Sequence, residues 1–196
     1  MTGQIPDAVI YHDRLYALTG QEGDGLFDPS ALGLRPLAMS TACWRGYVCE
    51  YTVVDGGLVL TELEMLVEGE PPTLFGVTPA EDASRGRRYE GLREPVRFTG
   101  RLLLGREFLN ELYVHMGFQS PWKYEDVQEL VFENGHLTEA HDRSEAAAQR
   151  RRAEADARRR GAEQSAAHPV VRPPDPAEPD ATRSWIEKSF SLDIDL

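Results

Sequence analysis

Over the first 143 positions, apolar and polar residues alternate in short runs broken by glycine-bearing turns. Period-two alternation between turn signals is the mark of strands with one buried face. VIYHDRLYALTG carries two such runs on either side of Asp13 and Arg14 and predicts a first hairpin. GYVCEYTVV and LVLTELEMLV flank Asp55, Gly56 and Gly57 and predict a second. VRFTGRLLL and LNELYVHM predict a third pair, and TLFGV a short strand ending at Pro79. VQELVFE and HLTEAHD flank Asn134 and Gly135 and predict a fourth hairpin. Asn-Gly supplies the positive φ values of a two-residue type I′ turn. Helix is scarce here, with single turns expected at residues 29–33 and 124–129. The pattern predicts an α+β chain, mostly antiparallel β and barrel- or sandwich-like, followed by a polar helix and an extended C-terminal tail.

Near Ser144 the pattern stops. The only apolar residues from position 145 to 164 are alanines, among strong helix formers, with Ser144 placed to cap. Glu154 with Arg158 and Asp156 with Arg160 have the favourable i,i+4 order. A helix with no apolar face is expected to project into solvent, fraying near Gly161. Five prolines follow within residues 165–181, which predicts a stiff linker. The expected organisation is a β-rich domain at 1–143, a polar helix at 144–164, a linker at 165–181 and a terminal peptide at 182–196.

That peptide is the most informative segment. Phe190, Leu192, Ile194 and Leu196 alternate with Ser191, Asp193 and Asp195. Such a segment presents one apolar and one polar face as a strand, and Trp185 and Ile186 just before it add anchors. Peptides of this kind add a strand to an open sheet edge and drop alternate side chains into pockets. The expected partner of these six residues is another protein, a second copy of the chain, or the chain's own sheet.

Composition narrows the function classes. The chain has 196 residues, a net charge of −12, 41% hydrophobic and 28% charged residues. That acidity argues against whole-surface affinity for nucleic acid or anionic lipid. Two arginine triplets, at 150–152 and 158–160, return to one helix face, but Glu145, Glu154, Asp156 and Glu163 offset them. Nucleic-acid binding there ranks as a third reading. No run is long and apolar enough to span a membrane, and the first residues lack a basic region followed by an apolar one, so the expected location is the cytoplasm. Cys43 and Cys49 make no disulfide framework or zinc site, and the five histidines show no chelating spacing. Within one strand the two cysteines would lie ~20 Å apart. No metal and no cofactor are expected. Glu62 and Glu64 are expected on a solvated face, with Leu63 and Met65 inside.

Three segments, STACWRGYVCEYTV with LVLTEL, VRFTGRLLL and LYVHMGFQSPW, resemble small bacterial proteins. Those pair an S-T-A-x-x-R-G-Y segment with a later H-M-G-[FY]-x-S segment. The resemblance spans residues 8–140. It implies a shared β-rich domain and assigns no catalytic residue. On the residues themselves, Arg45 and His115 could line a pocket for an anionic or nucleotide-like ligand, with Trp44 or Trp122 as a stacking wall. That reading requires an open Arg45, not one sealed against a carboxylate. A Cys43–His115 nucleophilic pair is weaker than core packing for the cysteine. The leading expectation is a non-enzymatic interaction module, with the ligand-binding domain or enzyme as the alternative.

Overall fold

The structure is a computed structural model that describes residues 2–82 and 86–167. β1 (Ala8–Tyr11) and β2 (Arg14–Asp24) form the first hairpin about His12 and Asp13, whose φ values of 49° and 57° suit a tight turn. β3 (Tyr47–Val54) and β4 (Gly57–Met65) turn at Asp55 and Gly56, with φ of 48° and 77°. β8 (Tyr124–Glu133) and β9 (His136–Asp142) turn at Asn134 and Gly135, with φ of 48° and 82°. The expected mostly antiparallel β architecture is therefore present.

β7 (Thr99–Phe108) joins these hairpins, pairing with β2 on one side and β8 on the other. β1 also pairs with β3, in parallel, Ile10 opposite Thr52. The neighbour order β3-β1-β2-β7-β8-β9-β4 returns to β3, so seven strands close a ring. Its seam is thin: β4 and β9 share one residue pair, Gly57 with His136. The backbone bonds Leu58 N–H to Gly135 O and Leu137 N–H to Gly56 O reinforce that pair, both donors lying about 2.8 Å or less from the acceptor. A Cβ on Gly135 would lie 2.1 Å from Val96 O, so glycine lets the turn press against the β6–β7 connection.

Two strands outside the predicted set hang from β4: β6 (Gly86–Pro95), and β5 (Ala80–Asp82) on β6. The sequence GRRYEGLREP hid β6, because Gly91 breaks its alternation and only Tyr89 and Leu92 are buried. A similar slip at Thr61 resets β4, letting Leu58 and Leu60, then Leu63 and Met65, all reach the core. Tyr51, Phe98, Leu102, Leu104, Leu130 and Phe132 share that interior.

Several expectations are corrected. LNELYVHM is not a strand: a 3-10 turn at Asn110–Leu112 opens a loop, and β7 pairs elsewhere. TLFGV makes only an isolated bridge between Leu74 and Val77. Residues 124–129 begin β8 instead of forming a helical turn, whereas the turn at Pro29–Leu32 forms with Asp28 accepting from Ser30 N–H. Cys43 precedes β3 and does not share a strand with Cys49.

α1 (Ser144–Ala167) starts directly after β9. The Ser144 hydroxyl accepts from Val127 N–H, and Asp142 accepts from Ser144 N–H, so the serine serves the sheet instead of its own helix. Ala147 is fully buried against Tyr124 and Val127, and Arg151 donates to the Trp122 and Tyr124 carbonyls. The first two turns are thus pinned to the domain, unlike the wholly solvated helix expected. Among the described residues of the helix the ion pairs are Arg150–Glu154, Asp156–Arg159 and a longer Arg152–Glu145 contact, in place of the expected Glu154–Arg158 and Asp156–Arg160. Because Ser144 meets Val127 and Arg151 meets Trp122, the helix runs against the direction of β8. It leaves by the opposite end from Asn134 and Gly135.

Candidate functional site

The two segments singled out in the sequence, 40–47 and 112–122, meet in space on the N-terminal residues. Gln4 N–H donates to Gly117 O and Ile5 N–H to Ala42 O, each at 2.8 Å. Gly3 N–H donates to the Tyr113 hydroxyl at 3.0 Å. The Gln4 side chain donates to Thr41 O and accepts from Trp44 N–H. One extended segment therefore staples both loops at the end of the ring where the α1 helix departs. Gln119 extends this frame: its amide bonds Val114 on both backbone groups, and its oxygen accepts from Lys123 Nζ at 3.0 Å.

Beneath the loops lies Asp7, 5% exposed. Its carboxylate accepts from Arg45 Nη1 at 3.0 Å, Arg45 Nη2 at 2.5 Å and Cys49 N–H at 2.6 Å. Burial works against the charge on Arg45, but Asp7 outweighs it and the guanidinium is held above its ordinary value. It lies 4.8 Å over the Tyr47 ring. Burial pushes the Tyr47 phenol up to about 12. This is the sealed arrangement that removes the open guanidinium the pocket reading required.

The other candidates are spread out. His115 sets its ring edge-on to Tyr113 at 4.9 Å, and no described contact links it to Arg45. Trp44 is 48% exposed beside Gln4. Trp122 packs with Tyr124 and Ala147 under α1, so it serves the helix seat and not a ligand wall. Its neighbour Lys123 is buried, with Nζ 5.6 Å from the Trp122 ring; burial, then Arg158, lowers its pKa. Burial raises both cysteine thiols, Cys49 further with Asp7 nearby, which disfavours a thiolate at Cys43. Glu62 pairs with Arg88 on the outer face, while Leu63 and Met65 are buried as expected.

Sequence reasoning missed Gln4, Asp7, Tyr113 and Gln119. Only Asp7 left a trace, a carboxylate directly before the apolar run AVIY. Gln4 acts through contacts nearly 40 positions away. The six anchors Trp185, Ile186, Phe190, Leu192, Ile194 and Leu196 lie outside the described residues.

A concavity lies at the seam, at the far end of the ring. This groove, of about 460 Å³, is lined by Leu58, Val59, Pro95, Val96, Arg97 and His136, among others. Among the described residues no cluster of three His, Cys, Asp or Glu is placed to hold a metal ion, and no helix is long and apolar enough to cross a membrane. No family model matches the chain, and no curated protein or solved structure matches it either.

Proposed function

We propose that the chain is a non-enzymatic interaction module, an adaptor or recruitment protein whose C-terminal peptide captures another protein. The observation that carries this is the strict alternation of Phe190, Leu192, Ile194 and Leu196 with polar residues after a proline-rich stretch. Two features of the domain support it. α1 is pinned through Ala147 and Arg151, and beyond them its described residues stand largely exposed, a spacer between the ring and the C-terminal part of the chain. The domain's own open edges are poor receivers. β9 bulges at Thr138 and is almost wholly exposed; β6 is broken at Gly91 and ends in Pro95; β5 has three residues. Bulges, proline and short length are the devices that keep edges from accepting another strand. A receiving edge on a partner fits better.

The test is affinity capture from host cells with the full chain, the chain ending at Ala181, and full-length Leu192→Asp. A protein recovered by the first and lost from both others is the expected result. Equal recovery by all three overturns the proposal.

A further inference from the structure

Four apolar side chains stand exposed on the stapled loops: Trp44 at 48%, Tyr113 at 42%, Val114 at 39% and Ile5 at 37%. Ile5 belongs to the 3–5 segment, Trp44 and Tyr113 bond it through Gln4 and Gly3, and Val114, next to Tyr113, is held by Gln119, all at the α1 end of the ring. Exposed aromatics gathered on a rigid frame mark an interaction surface. The chain also holds an apolar pair outside the alternating run of residues 190–196, Trp185 and Ile186, set just after the proline-rich stretch.

We infer that this loop face is the seat for Trp185 and Ile186 of the same chain. The inference rests on the reading of the C-terminus as a docking peptide and assigns its first anchors to the domain, leaving residues 190–196 for the partner. Chain length decides where the pair can land. From Arg151, held at the Trp122 carbonyl, α1 runs 16 residues to Ala167, ~24 Å at 1.5 Å per residue. Residues 168–184 reach ~53 Å at the polyproline spacing. They can therefore double back along the helix to the loops beside it with tens of ångströms to spare. The seam groove lies a further ten strand residues from Tyr124, ~34 Å. Added to the helix length, that takes up the whole reach of the tether, so the loops lie well within range of Trp185 and the groove only at its limit.

Tethering also selects the occupant. A segment linked this way is present at an effective concentration in the millimolar range, above any second copy at ordinary protein concentration. The Trp185 indole against the Trp44 indole and the Tyr113 phenol would add edge-to-face contacts beyond the area covered. A seat of this kind fixes the tail to the domain and aims the strand-forming end outward.

A nitroxide on full-length Ser184→Cys tests this by nuclear magnetic resonance, since Cys43 and Cys49 are buried away from the label. The expected result is loss of intensity at the amides of Gln4, Trp44 and Val114, restored by reducing the label and abolished by adding Trp185→Ala. Trp185→Ala leaves the domain's own sequence intact. No loss at these amides overturns the inference, as does loss centred on Val96 and Gly135. A mixture of isotope-labelled unmodified chain with spin-labelled chain should show no loss; loss there assigns the seat to a second copy and overturns it. Leu192→Asp should leave the signal unchanged, so failure of partner capture and failure of this seat are separate results.

Discussion

One carboxylate, Asp7, holds both terminal amines of Arg45 and the backbone N–H of Cys49. It thereby ties the segment before β1 to the start of β3, over a parallel strand pair that has no turn of its own. Removing one partner of such a pair strands the other charge in a poor dielectric. Asp7→Ala is expected to cost about 3–5 kcal/mol by urea unfolding. Asp7→Ala with Arg45→Met should cost clearly less. A double variant as unstable as the sum of its singles would show that the two residues act independently.

The thiols should be silent in the folded state. Burial raises both above the ordinary cysteine value, so at neutral pH each stays protonated as well as shielded. Ellman's reagent is expected to react with neither until denaturant is added, and then with both. A fast native reaction at one site would show that the loop over Cys43 opens readily.

Asp126 gives the acid limb of stability. Burial alone would raise its carboxyl, but hydrogen bonds from Gln128, Arg106 and Tyr16 bring it below the ordinary aspartate value. A depressed folded value means stability that is present above the unfolded value and lost as pH falls through the folded one. Asp126→Asn should therefore cost on the order of 1 kcal/mol at neutral pH and nothing once the pH lies below the aspartate range. Urea midpoints of both proteins from pH 7 to pH 2 should converge toward the acid end. Parallel curves would rule out this carboxylate as the source.

Gly135→Ala probes the seam. The added methyl meets Val96 O at 2.1 Å on a residue with φ of 82°, so both backbone conformation and space oppose it. The expected loss is about 1–3 kcal/mol, with faster amide exchange at Leu58 and Leu137, whose N–H groups close the ring here. Unchanged protection at those two amides would mean that the seam carries no weight.

The hairpins were legible because their turns announce themselves: Asp55-Gly56 and Asn134-Gly135 fix φ locally, and the flanking alternation is regular. β6 was not, since its bulge at Gly91 and its arginines and glutamates imitate a loop. Which strands become neighbours was legible only within hairpins. The pairing of β1 with β3 and of β2 with β7 depends on ring closure, which no local signal encodes. At the loops, STACWRG and HMGFQSPW were visible as segments, but not that residues 2–5 join them, nor that Arg45 is already spoken for by Asp7. Long-range partners of this sort leave a trace only as single polar residues beside apolar runs.

The ring topology also sets a schedule for synthesis. Leu18 in β2 pairs with Leu104 in β7, 86 positions later. At roughly 5–20 residues per second, about 4–17 s pass between the appearance of the two on the ribosome. Through that interval the N-terminal hairpin carries a bare edge that only the second half of the chain can cover. Conditions that lengthen the wait, such as slow translation between β4 and β7, should lower the yield of folded protein without altering the stability of the molecules that reach it.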